Sequence, residues 1–84
     1  MKAGKYISLT KWLSECNKAN VSLTFSEIES IIGSELPASA YRYAEWWSNH
    51  PTHSQANAWM QAGYNAALGN AIITSQIAVF IKQS

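Results

Sequence analysis

The chain has 84 residues, which leaves room for one domain with one modest core. Its formal net charge of +1 and its 13% charged residues argue against nucleic-acid binding through many non-specific Lys and Arg contacts to phosphate. No apolar run approaches membrane-spanning length, no secretory-type apolar segment opens the chain, and the single Cys16 permits no intramolecular disulfide. A cytoplasmic protein without membrane contact or cofactor is expected.

Met1 to Lys5 reads as a frayed start. Lys2, Lys5 and Lys11 give this end a basic bias. From Ser8 to about Asn17 the pattern is helical: Leu9, Trp12, Leu13 and Cys16 recur at three- and four-residue spacing, and Ser8 is a candidate N-cap. Asn17 to Asn20 reads as a turn. Val21, Leu23 and Phe25 alternate with Ser22 and Thr24, which predicts a short strand. Thr24 and Glu27 have capping-box spacing, so a helix should begin near Phe25 or Ser26. Its apolar face is Ile28, Ile31 and Ile32, and Gly33 is a natural left-handed stop.

Pro37 suits the first turn of a third helix, expected from about Pro37 to Ser48. Ala40, Tyr43, Ala44 and Trp47 make its apolar stripe, with Arg42, Glu45 and Asn49 opposite and Trp46 at the boundary. Pro51 breaks the pattern. A short helix follows from His53 or Ser54 to Ala62, with Ala58, Trp59 and Ala62 inward and Gly63 at its end. The tail from Tyr64 to Lys82 reads as two strands with a turn between Gly69 and Gln76. In its second half Ile77, Val79 and Ile81 oppose Ala78 and Phe80. The fold class is thus α+β: three to four helices, a short strand and a C-terminal β-hairpin.

Two resemblances follow from these residues. The element order resembles the winged helix-turn-helix, in which a strand after the first helix pairs with a C-terminal hairpin and the third helix reads DNA. At residue level, Leu23-Thr24-Phe25, Glu27-Ile28-Glu29, Ile32-Gly33, Leu36-Pro37, Ser39-Ala40, Trp46-Trp47-Ser48-Asn49, His53-Ser54-Gln55-Ala56, Ala58-Trp59 and Ala62-Gly63-Tyr64 resemble a small prokaryotic domain of unknown function. That resemblance implies a short bacterial or phage-borne protein and transfers no activity. Tyr64 stands where the family pattern has tryptophan, and the tail lacks the family's charged residues.

The stretch from Leu36 to Tyr64 holds three of the four tryptophans, both histidines, both prolines and the only arginine. Trp47 and Trp59 fall on apolar faces and read as core. Trp46 reads as partly exposed, able to stack on a base or anchor an interface. Arg42 either pairs with Glu45 or addresses phosphate or a guanine edge. Asn49 and Gln55 either cap helix ends or bond adenine through their amides. Ser39 stands early enough in its helix to meet a phosphate, or is solvated. His50 and His53 lack the further ligands a zinc ion needs, and His53 is expected to tie its loop to Trp46 or Trp47. No nucleophile–base or phosphate-loop pattern is present.

The expected function is a non-enzymatic nucleic-acid-binding module of winged-helix type, with Ser39, Arg42, Trp46, Asn49, His53 and Gln55 as its surface. The alternative is a protein-interaction module, such as a phage or mobile-element inhibitor of a host defence complex. A homodimer is compatible with both.

Overall fold

The computed structural model describes residues 6–83. Met1–Lys5 and their basic bias, apart from Lys11, lie outside the described residues. Helix α1 spans Ile7–Cys16, strand β1 Asn20–Thr24, α2 Phe25–Ile32 and α3 Ala38–Arg42. A 3-10 turn, Ala44–Trp47, leads through a loop to α4, Ser54–Gln61. The chain closes with β2 Tyr64–Ala66, α5 Gly69–Ser75 and β3 Ile77–Lys82. The three strands form one antiparallel sheet in the order β1-β3-β2, so the domain is α+β.

Local signals set the first half. The Thr24 hydroxyl accepts the Glu27 N–H (3.1 Å) while the Glu27 carboxylate accepts the Thr24 N–H (2.8 Å), the reciprocal capping box the spacing predicts. Gly33, at φ +75°, ends α2 by sending its N–H back to the Glu29 carbonyl. At α1 the cap differs from expectation. Tyr6 is the N-cap residue and Ser8 lies inside the first turn. Leu9 and Leu13 are buried and Cys16 half-buried, but Trp12 leaves the apolar stripe and is 38% exposed.

The helix expected over Pro37–Ser48 is broken. Tyr43 is extended (φ −118°, ψ 121°), so α3 stops at Arg42 and a separate 3-10 turn follows. The break lets Trp47 turn into the core, where its indole N–H donates to the Ala40 carbonyl at 2.9 Å, and it leaves Tyr43 exposed. Glu29 braces this region: its Oε2 accepts from the Leu36 N–H and from the Tyr41 hydroxyl, both at 2.9 Å. The bond to Glu29 raises the Tyr41 phenol above its ordinary value.

In the tail, the two expected strands, β2 and β3, pair directly and antiparallel, but α5 stands where a turn was expected. Ile72 of α5 is buried, and Gly69 lets the helix start against the backbone of Ala44. Tertiary packing therefore overrides the strand preference of Ile72, Ile73 and Thr74.

The core is built around an aromatic file. Phe25 stacks on Trp47 (5.2 Å, 18°), Trp47 on Trp59 (5.8 Å, 16°), and Trp59 meets Phe80 at 5.4 Å. Burying such a side chain contributes on the order of 4–6 kcal/mol before the entropy of ordering is subtracted. Thr10 ties α1 to α4 through the Ala58 carbonyl (2.8 Å), and the Tyr64 hydroxyl reaches the Lys18 carbonyl.

Candidate interaction surface

The residues expected to bind a partner divide into two groups. Trp46, Asn49, His53 and Gln55 come together around the loop between the 3-10 turn and α4. Asn49 is exposed but tied into the fold by three bonds: its Oδ1 accepts the Trp59 indole N–H (2.8 Å) and the Ala66 N–H (2.7 Å), and its Nδ2 donates one N–H to the Ala66 carbonyl (2.9 Å). Gln55 donates from Nε2 to the Trp46 carbonyl at 3.1 Å. His53 meets the Ser48 hydroxyl through Nδ1 at 3.4 Å, so it holds the loop at Ser48 and not at a tryptophan ring. Trp46 is half-buried, edge-on to Trp47 (4.7 Å) and to Tyr6 (6.1 Å).

Ser39 and Arg42 stand apart on α3, beyond the break at Tyr43. Ser39 is half-buried, and its carbonyl accepts the Tyr43 N–H. Arg42 is exposed, and among the described residues it makes no ion pair, with Glu45 or with any other residue. His50 turns to Thr52, its Nδ1 2.8 Å from the hydroxyl.

A second surface emerges from the sheet. Ala78 and Phe80 of β3 are fully buried under the helices. Strand alternation then turns Ile77, Val79 and Ile81 to the opposite face, where Ile77 and Ile81 are 37% and 43% exposed. The register puts Thr24 beside Ile77, Ser22 beside Val79, and both Asn20 and Asn65 beside Ile81. This face therefore has an aliphatic centre and a rim of short neutral side chains, with no charged residue among the paired positions. Leu68, next to β2, is 80% exposed and shares a shallow cleft with Ile81. The signal for this face was in the sequence: β3 is apolar at both parities, the pattern of a strand covered on both sides.

The family model for a domain of unknown function, DUF7662, matches residues 6–78. The chain belongs to that family. No curated protein matches the chain, and no solved structure does. The DUF7662 match takes in α1 to α5 and the first two residues of β3. Val79 and Ile81, the outer half of the aliphatic stripe, lie beyond it. Among the described residues no helix is long and apolar enough to cross a membrane.

Proposed function

We propose that this domain is a non-enzymatic protein-interaction module, which receives an apolar, uncharged surface of another protein on the open face of its sheet. The observation that carries this reading is the outward stripe Ile77–Val79–Ile81 on a neutral rim. A solvated antiparallel sheet normally shows water a polar face, and contiguous aliphatic surface marks a contact site. A host protein complex, as for an inhibitor carried on a phage or mobile element, is one partner class this reading includes.

The nucleic-acid reading is second. It rests on Arg42, which is exposed and without an ion pair among the described residues. It draws no support from Asn49, whose amide oxygen is taken by two N–H groups of the fold.

The test uses the wild type, Ile77→Lys/Ile81→Lys and Arg42→Ala as baits in lysate of the native host. Any captured protein is then purified and titrated at two salt concentrations. The expected partner binds wild type and Arg42→Ala alike, loses at least about tenfold affinity for the double-lysine variant, and responds little to salt. Background capture alone overturns the proposal. So does salt-steep binding of labelled DNA that disappears in Arg42→Ala, which would carry the nucleic-acid reading instead.

A further inference from the structure

The hydrogen-bond parity of β1 identifies which of its backbone groups face outward. Lys82 N–H donates to the Ala19 carbonyl (2.8 Å) and Phe25 N–H to the Gln76 carbonyl (3.1 Å). Both bonds lie on the β1–β3 register, so the odd-numbered residues of this segment turn their backbone groups toward β3. Asn20, Ser22 and Thr24 turn theirs to the edge of the sheet. The Thr24 N–H is already held by the Glu27 carboxylate, and its carbonyl opens α2. Asn20 and Ser22 remain, with two N–H and two C=O groups that have no partner among the described residues.

Nothing in β1 protects this edge. Its sequence, Asn-Val-Ser-Leu-Thr, has no lysine, proline or glycine, although such residues are the usual means of blocking strand addition. The other edge, β2, is only three residues long and is too short to act as a template.

We infer that β1 pairs with β1 of a second copy of this chain, antiparallel about a two-fold axis at Val21, joining two sheets into one of six strands. In that register Asn20 faces Ser22 of the second copy and Ser22 faces its Asn20. All four free groups are satisfied in two reciprocal pairs, giving four hydrogen bonds. A register centred on Ser22 would call on the Thr24 N–H, which Glu27 occupies, and one centred on Asn20 would call on the Lys18 carbonyl, which the Tyr64 hydroxyl holds. The side chains agree with this pairing: Asn meets Ser on the outer face. Val21 meets Val21 on the helix side, at the close spacing of a non-hydrogen-bonded pair, about 4.5 Å between Cα atoms. Beside Leu23 on that side lie exposed Trp12 and half-buried Ile31, which line a shallow cleft and add apolar surface to the contact. Charge also matches. Antiparallel pairing sets Lys18, two residues before β1, beside the second copy's Thr24, whose N–H is held by the Glu27 carboxylate. The inference does not depend on the proposed use of the sheet face.

Sedimentation velocity over a range of concentrations tests it, with Asn20→Lys/Ser22→Lys and Asn20→Glu/Ser22→Glu as variants. Both positions are exposed on the outer face, and near-UV circular dichroism checks the fold of each variant. Wild type is expected to show a reversible monomer–dimer equilibrium. Each variant sets like charges opposite one another twice and shifts the equilibrium to monomer by at least about tenfold. A one-to-one mixture of the two restores the dimer. Amide exchange of wild-type Asn20 and Ser22 slows as concentration rises, a readout that needs no variant. A wild type that stays monomeric overturns the inference. A dimer undiminished in Asn20→Lys/Ser22→Lys does so as well. Ile77→Lys/Ile81→Lys keeps the dimer, which separates failure here from failure of the sheet-face reading.

Discussion

Asn49 shows how one side chain can look like a recognition residue and act as a structural tie. On a helix face its amide reads as a base-reading group. In the fold it joins three elements: the 3-10 turn it follows, α4 through Trp59, and β2 through Ala66. Trp59 is 1% exposed and Ala66 6%, so both N–H groups lie beneath Asn49, itself exposed, and on its loss only water entering from the surface can take its place. Asn49→Ala should therefore destabilise the domain by about 1–3 kcal/mol, since a buried donor left unsatisfied costs roughly that much and water offsets part of the loss. Asn49→Asp keeps an acceptor for both N–H groups but sets a carboxylate oxygen against the Ala66 carbonyl where the donor was, so it too should destabilise, falling between wild type and alanine. Urea unfolding followed by tryptophan emission gives that order directly. If Asn49→Ala unfolds like wild type, the amide is free for a partner after all.

At the scale of elements, what the sequence makes legible is what neighbouring residues determine. The Thr24–Glu27 box, the Gly33 stop and the helix before Gly63 all appear within two residues of where they were expected. Of the expected site residues, Trp46, Asn49, His53 and Gln55 lie around one loop, as their closeness in sequence implies. The bonds they make were not legible there, because the groups on Trp59 and Ala66 that engage Asn49 lie elsewhere in the chain and Gln55 bonds a backbone carbonyl, that of Trp46. Two elements were misread for the same reason. Tyr43 breaks its helix so that Trp47 can join Phe25 and Trp59, a demand made by distant residues. Helix α5 forms from a β-branched run because Gly69 fits against Ala44 and Ile72 finds the core. This contact makes a prediction contrary to helix propensity. Gly→Ala in a helix usually stabilises by about 0.5–1 kcal/mol. A Cβ on Gly69 would lie 2.9 Å from Ala44 backbone carbons. Gly69→Ala should therefore destabilise by about 1–3 kcal/mol, because backbone yields less readily than a side chain. A thermal melt that rises on this substitution would show that α5 is not anchored at the Ala44 turn.

For the whole molecule, the decisive asymmetry is between the two faces of one strand. β3 is apolar from Ile77 to Ile81, yet only Ala78 and Phe80 serve the core, and Phe80 is fully buried against Trp59. A domain of this size has a stability of roughly 5–10 kcal/mol. Phe80→Ala, at about 3–5 kcal/mol, should consume much of it. Ile81→Lys and Ile77→Lys, on the exposed face, should each change stability by no more than about 0.5 kcal/mol. Selection for folding alone gives no reason for three β-branched aliphatic residues on that face, since polar residues of similar β preference such as threonine would serve. If the lysine variants unfold as late as wild type, the aliphatic stripe is dispensable for the fold and its role lies in contact with another molecule. If they unfold as early as Phe80→Ala, the stripe is part of the core of a larger assembly that already exists in solution. Repeating the melt at several protein concentrations in the Asn20→Lys/Ser22→Lys background separates these outcomes, because with β1 pairing removed only an assembly on the stripe makes the midpoint depend on concentration.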